Sequence, residues 1–153
     1  MTVAVRNQHP RGAAAAARLR SRARAYLAAL GRGGAELSIL VATDRSMRAI
    51  NRRWRGVDRP TDVLSFPATD PPGRGSLLGD VVVSLDTAAR RTRGFRSALG
   101  AELDRYLAHG LLHLLGHDHV RPADARRMAR AEEALVGAPG LLGAAPRRRR
   151  GSR

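Results

Sequence analysis

The amino-acid sequence predicts a single layered domain of the α/β (α+β) class, with a small, mostly parallel sheet of about four strands flanked by about five helices. Its 153 residues are the length of one domain. Short runs with the two-residue period of strands alternate along the chain with longer runs of helical period. One of the short runs, Leu78–Leu85, is apolar on both faces, which indicates a strand in the middle of the sheet.

Four stretches have the alternating or β-branched composition of strands. They are Val3–Arg6, Glu36–Ala42, Asp62–Phe66 and Leu78–Leu85. Pro67 ends the third stretch, because proline has no backbone N–H to give to a strand ladder. We expect the Pro- and Gly-rich residues 68–75 to form a loop between the third and fourth strands.

Five stretches have the apolar spacing of helices. Three of them are Ala13–Leu30, Ser97–Leu115 and Pro122–Val136. Between the first two of these, one helix runs from the capping residue Thr43 to Arg55, and another begins at Ser84 or Asp86 and ends near Arg93. In the helix that ends at Arg55, Met47, Ile50 and Trp54 recur at i, i+3 and i+7, which favours a buried stripe. We therefore expect Trp54 to lie in the core; its alternative role is to stack on a nucleic-acid base.

The composition of the chain changes after Gly137. Residues 1–137 hold all the predicted strands and helices, whereas residues 138–153 are rich in Gly, Pro and Ala and then in Arg. We expect residues 1–137 to form the folded domain and residues 138–153 to form a disordered tail.

The chain is strongly basic: its 28 basic residues are all arginines, and with 13 acidic residues they give a net charge of +15. Such a charge favours a polyanionic partner, above all nucleic acid, although codon bias in a GC-rich genome also enriches arginine. The absence of cysteine excludes disulfide scaffolds, Cys-based zinc fingers and thiol nucleophiles. No stretch reaches the ~20 apolar residues of a membrane span, so we expect a soluble, cytoplasmic protein with no membrane partner.

Four of the five histidines lie within the sequence HGLLHLLGHDH, residues 109–119. On a helix, His109 and His113 share one face about 6 Å apart along the axis. Gly116 can take the left-handed conformation that ends a helix, and the following turn can bring His119 back to the pair. Three imidazoles with an open fourth position are typical of a catalytic zinc site, so we predict one Zn²⁺ per chain at the end of this long helix. The alternative, core histidines without a metal, is costly for two adjacent imidazoles among leucines.

His117 and Asp118 have several alternative roles. His117 follows His113 by four residues, and it would replace His119 as a ligand if the helix continued past Gly116. Otherwise His117 is exposed, supports a ligand without touching the metal, or acts as a general acid or base, which makes it a candidate catalytic residue. Asp118 either orients a ligand imidazole through its second ring nitrogen or caps the turn.

The sequence resembles the YbeY family of bacterial endoribonucleases that mature ribosomal RNA. The resemblance extends from about Val3 to Val136 and rests on four motifs in the family's order. They are AINRRWR at 49–55, DRPTDVLSFP at 58–67, LGDVVVS at 78–84 and HGLLHLLGHDH at 109–119, with a Met-x3-Glu pattern at Met128–Glu132 after them. Family members often have tyrosine where His117 stands, which neither adds nor removes a ligand, and Ala49 replaces the usual leucine.

The resemblance implies an α/β domain with a single zinc ion on His109, His113 and His119. It also implies a single-strand-specific endoribonuclease that acts on small-subunit (16S) rRNA in 3′-end maturation and ribosome quality control, with no small-molecule cofactor. Arg55 matches the arginine thought to hold the RNA phosphate in the active cleft, which makes it a candidate catalytic residue; the role suits a bidentate guanidinium. Its alternative role is a solvated helix end. Further arginines are expected to contact phosphates. They are Arg52, Arg53 and Arg59, and also Arg90, Arg91, Arg93 and Arg96.

Two rival functions share parts of this pattern. A zinc metallopeptidase has the same histidine spacing but carries a general-base glutamate after the first histidine, where this chain has Gly110. A non-enzymatic ribosome- or RNA-binding assembly factor with structural zinc would favour a closed fourth ligand such as His117. An open fourth position favours an enzyme.

Overall fold

The computed structural model describes residues 2–69 and 77–137, and within these ranges the chain forms four strands and five helices. The strands are β1 Thr2–Asn7, β2 Glu36–Ala42, β3 Val63–Pro67 and β4 Leu77–Ser84. The helices are α1 Ala13–Ala29, α2 Asp44–Arg55, α3 Leu85–Arg91, α4 Arg96–Leu114 and α5 Pro122–Gly137. The predicted elements are confirmed to within a residue or two at each end. The predicted tail and residues 70–75 of the predicted loop lie outside the described residues.

The strands form one mixed sheet in the order β1–β2–β4–β3. β1, β2 and β4 are mutually parallel, and β3 runs antiparallel to β4. The prediction of a small, mostly parallel sheet is therefore confirmed, with the apolar strand β4 in its interior and β3 at one edge.

Side-chain hydroxyls and a left-handed glycine set the ends of two helices. Thr43 Oγ1 accepts a hydrogen bond from the backbone N–H of Ser46 at 3.0 Å, which begins α2. Gly56, at a φ of +71°, ends that helix. Ser84 Oγ accepts from the backbone N–H of Thr87 at 3.2 Å, so the residue that caps α3 is Ser84 and not Asp86.

Helices cover the two faces of the sheet unequally. α1 and α4 pack on one face, and α5 packs on α4, so the main hydrophobic core lies on this side. α2 packs on the opposite face, where Met47 meets Ala42 and Val82 in a much smaller core. Within the two described ranges, no helix is both long and apolar enough to cross a membrane.

Gly110 lets α4 approach the sheet closely. A Cβ atom at this position would lie 2.8 Å from Val81 Cγ1 and 3.3 Å from Val63 Cγ2, so any larger residue would push the helix away. Because α4 carries His109 and His113, this contact also sets the height of those histidines above strands β3 and β4.

The expectation that Trp54 lies in the core is wrong, since the residue is 62% exposed. The buried face of α2 instead includes Met47 and Asn51, and Ile50 is only half-buried. Asn51 is buried because its side-chain amide donates to the backbone carbonyl of Arg59 at 2.8 Å, which holds the following loop against the helix. A polar residue thus takes a core position that the apolar pattern assigned to its neighbours.

Candidate metal centre

Three histidines converge at the carboxyl end of α4. Their nearest ring nitrogens all lie within 4.8 Å of one another, and the ring centres are 4.8 Å (His109–His113), 5.1 Å (His113–His119) and 5.7 Å (His109–His119) apart. His109 and His113 are one helical turn apart, and Gly116 adopts a φ of +100°, which ends the helix and returns the chain toward them. Among the described residues, these three side chains form the group with metal-ligand spacing.

The electrostatics of the cluster suit a metal ligand. Burial lowers the pKa of His113, and the neighbouring His109 and His119 lower it further, whereas a hydrogen bond with the backbone of His117 opposes the shift. The lowered pKa favours the neutral imidazole, which is the form that binds a metal ion.

Glu132 holds the outer nitrogen of His109. The Nδ1 atom of His109 lies 2.6 Å from Glu132 Oε2, and the two side chains are 31% and 23% exposed. α5 brings this carboxylate into position because Met128, one turn earlier on the same helix, is buried in the main core. A carboxylate on Nδ1 fixes the ring orientation and leaves Nε2 for a metal. We did not assign this role from the sequence; its signal was the Met-x3-Glu spacing.

His117 and Asp118 take other positions. His117 is not among the converging histidines of the described chain; it lines a separate small cavity with Asp124 and Arg127, and its backbone N–H donates to the carbonyl of Leu112 at 3.0 Å. Asp118 Oδ1 accepts from the backbone N–H of Val120 at 3.3 Å, so Asp118 caps the turn, one of its two expected roles.

An ionic network forms one wall beside His109. Arg91 Nη1 donates to Asp62 Oδ2 at 2.8 Å and to Tyr106 Oη at 3.2 Å, and Arg105 pairs with Glu102. Burial alone would raise the pKa of Asp62, but hydrogen bonds from Arg91 and from the Val63 backbone hold it below its usual value.

Arg105 also lines the cleft of about 550 Å³ that contains His109, His119 and Glu132. It precedes His109 by one helical turn and is an arginine beside the cluster that sequence reasoning missed. The available signal was the spacing 105–109–113 on a single helix face.

Arg55 lies elsewhere, at the end of α2 on the opposite face of the sheet. Its Nη2 atom donates to the backbone carbonyl of Ser65 at 2.8 Å, and its guanidinium lies 5.0 Å from the ring centre of Phe66. Arg53 lies 5.2 Å from the ring centre of Trp54, and Arg52 and Arg59 are exposed nearby. The structure thus brings the three histidines together with Glu132, and it groups Arg55 with Trp54 and Phe66.

Comparison with known proteins is consistent with this fold and site. The family profile described as Endoribonuclease YbeY matches residues 6–139. Two curated relatives named Endoribonuclease YbeY come from Anaeromyxobacter sp. (strain Fw109-5) and Anaeromyxobacter dehalogenans (strain 2CP-C). The first is 70% identical over 96% of this chain and 77% of its own length, and the second 65% identical over 96% and 76%.

Similarity also extends to a more distant relative and to a solved structure. The Endoribonuclease YbeY of Aquifex aeolicus (strain VF5) is 42% identical over 72% of this chain and 73% of its own length. The solution structure of TM1509 from Thermotoga maritima covers 99% of both chains with a TM-score of 0.58 and 21% identity, which supports the fold alone. From the family match and these identities, we conclude that the chain belongs to the YbeY endoribonuclease family.

Proposed function

We propose that this protein is a zinc-dependent endoribonuclease that cuts single-stranded RNA. We further propose that it acts in the cytoplasm on small-subunit rRNA, in 3′-end maturation and quality control, and that His109, His113 and His119 hold one zinc ion per chain. The observation that carries the proposal is the convergence of these three ring-nitrogen donors within 4.8 Å, in a chain whose relatives are named endoribonucleases.

The donor set fits a catalytic zinc ion. Zinc readily accepts three imidazoles, and its catalytic sites leave the fourth position for water or substrate. Among the described residues, His117 lies outside the converging group, so the fourth ligand that a purely structural ion would favour is not supplied there. This arrangement supports an enzyme over the non-enzymatic assembly factor.

The residues around the donors have separable tasks. When bound, the zinc ion would supply Lewis acidity at a phosphate oxygen of the substrate. Glu132, 2.6 Å from Nδ1 of His109, would accept the proton of that nitrogen and so leave the Nε2 lone pair for the metal. Arg105, in the same cleft, offers a guanidinium to the phosphate. His117 is retained as a candidate general acid or base, and Arg55 with Arg52, Arg53 and Arg59 as candidate RNA contacts on the far face.

Peptide hydrolysis is a poor fit to the same site. The position that holds the general base in metallopeptidases is Gly110, and its missing side chain would point at Val81 and Val63 in the sheet. A glutamate here would therefore have to displace α4 before it could take a proton.

The experiment is cleavage of an end-labelled single-stranded RNA, with a duplex of the same sequence and a single-stranded DNA as comparison substrates. We expect cutting of the single-stranded RNA alone, lost both with a chelator and in His113→Ala. Analysis of the product ends separates attack by the ribose 2′-hydroxyl, which leaves a cyclic phosphate, from direct hydrolysis. Binding without cutting, in protein shown to hold one zinc ion per chain, would replace this proposal with the assembly-factor function.

A further inference from the structure

We propose that the groove beside α2, on the sheet face opposite the histidines, binds an unpaired base of the RNA substrate stacked on Trp54. The proposal rests on the proposed function, because it takes single-stranded RNA as the ligand. We call this site the α2 groove. It has a volume of about 660 Å³, and its lining includes Arg6, Leu40, Trp54, Arg55, Phe66 and Asp80.

The α2 groove exists because α2 covers only part of its sheet face. Alternate residues of β2, which are Ser38, Leu40 and Ala42, point to this side, and of these only Ala42 is buried by the helix. The other strands contribute Arg6, Asp80 and Phe66 to the same surface. The floor therefore presents the apolar side chains Leu40 and Phe66 beside the polar Arg6, Ser38 and Asp80, with one wall from the last turn of α2.

Two of the chain's five aromatic residues meet in this groove. The two tyrosines are buried, whereas Trp54 is 62% exposed and stands edge-on to Phe66, with ring centres 6.4 Å apart at an interplanar angle of 63°. A flat, sequence-tolerant stacking surface of this kind is how single-strand binding proteins hold unpaired bases.

The arginines around the groove are free to bind phosphates. Arg6 and Arg55 line the groove, and the Arg53 guanidinium lies 5.2 Å from the ring centre of Trp54. None of the three forms an ion pair with a described acidic residue, in contrast to Arg48, which is paired with Asp58. Arg55 uses Nη2 to hold the Ser65 carbonyl and keeps its other N–H groups available. Asp80 is the acidic residue among the lining residues, so phosphates are favoured at the arginine side and base amino groups at Asp80.

This combination favours single-stranded RNA over the alternatives. A duplex hides the faces of its bases, so it cannot stack on Trp54. An apolar protein segment would use the floor but would leave three unpaired arginines without a partner. Because the groove and the histidines lie on opposite faces, the bound base belongs to a nucleotide that flanks the scissile bond, reached around the edge strand β3.

The test uses Trp54 as its own probe, since it is the single tryptophan of the chain. The full-length protein, with a chelator present so that cleavage does not compete, is titrated with a short single-stranded RNA while tryptophan fluorescence and RNA anisotropy are both recorded. We expect saturable quenching that follows the anisotropy. Trp54→Ala should weaken binding about 5- to 100-fold, the loss of one stacked base.

Two control variants separate stacking from charge and from exposed surface. Phe95→Ala removes another exposed aromatic ring, 67% exposed and outside the groove, and should leave the affinity unchanged. The effect of Arg55→Ala should shrink as salt is raised, whereas the effect of Trp54→Ala should persist. RNA binding without quenching, or equal RNA affinities of the Trp54→Ala and Phe95→Ala variants, would overturn the proposal. An apolar protein segment would then be the favoured ligand of the α2 groove.

The outcome for the groove is independent of the outcome for catalysis. Trp54→Ala should keep one metal per chain and raise the KM for RNA more than it lowers kcat. If RNA quenches the fluorescence of Trp54 but the protein does not cut RNA, the endoribonuclease proposal is wrong and the α2 groove proposal stands. If the protein cuts RNA without quenching, the endoribonuclease proposal stands and the α2 groove proposal is wrong.

Discussion

The Nδ1 atom of His109 and the Oε2 atom of Glu132 lie 2.6 Å apart, and they join α5 to the converging histidines across 23 residues of sequence. Met128, one turn before Glu132, is buried in the core, and this packing brings Glu132 to His109. In the proposed metal centre, Glu132 is therefore the positioning residue. The packing of α5 on α4 fixes where its carboxylate holds the His109 ring.

Glu132→Ala should therefore weaken zinc binding about 10- to 100-fold, the usual cost of losing the partner that orients a ligand histidine. Glu132→Gln should recover part of the loss, because its amide oxygen can still accept from Nδ1. Competition with a zinc-binding dye measures both. Glu133→Gln, an exposed neighbour on the same helix, is the control. Equal affinities for the Ala variant and this control would remove Glu132 from the site.

The proposal that His119 is the third zinc ligand predicts a difference between two nearby histidines. His119→Ala should weaken zinc binding by more than about 100-fold, since a direct ligand is lost and not merely its support. His117→Ala should retain one zinc ion per chain and reveal by its rate of RNA cleavage whether that ring moves a proton. Metal analysis after dialysis is the measurement, and the opposite pattern would place His117 on the metal.

Gly110→Ala should destabilise the fold by about 1–3 kcal/mol, because its Cβ would lie 2.8 Å from Val81 Cγ1. The free energy of unfolding in urea measures the effect. Gly33→Ala is the matched control, since a Cβ there meets nothing within 4 Å. A Gly110→Ala variant as stable as this control would show that α4 does not need its close approach to the sheet.

Asp44 predicts an acid dependence of stability. Burial alone would raise the pKa of its carboxyl, but hydrogen bonds from Ser84, Thr87 and Arg90 hold it below the usual value. A carboxyl with a lowered folded-state pKa stabilises the fold above its unfolded pKa, and the contribution is lost as pH falls through the folded pKa.

At neutral pH, Asp44→Asn should cost about 1–2 kcal/mol of unfolding free energy, and the gap to the wild type should close in acid. Asp58→Asn, which breaks the exposed pair with Arg48, should change little at any pH. Urea unfolding across the acid range tests both. A gap for Asp44→Asn that stays constant down to the lowest pH would contradict the assignment.

Local sequence patterns were enough for the strands, the helices and the histidines that converge on α4. The helical period was enough to predict that His109 and His113 share one face. The ability of glycine to adopt a positive φ was enough to predict the end of the helix at Gly116. Glu132 could not be placed, because its contact depends on how α5 docks and not on any spacing shared with α4.

The same limit explains the error at Trp54. The stripe of Met47, Ile50 and Trp54 has the period of a buried helix face, but the structure buries Met47 and Asn51 and leaves Trp54 62% exposed. The spacing of apolar residues does not show that the backbone carbonyl of Arg59 is hydrogen-bonded by Asn51. The sequence alone therefore could not predict that Asn51 is buried and Trp54 is exposed.

The most direct measurement titrates zinc into metal-free protein and follows occupancy and RNA cleavage in the same samples. We predict that the rate of cleavage rises in proportion to occupancy and stops rising at one zinc ion per chain, with no rise in His113→Ala. Cleavage that is already complete in the metal-free protein, or that His113→Ala retains, would contradict a zinc centre on these three histidines.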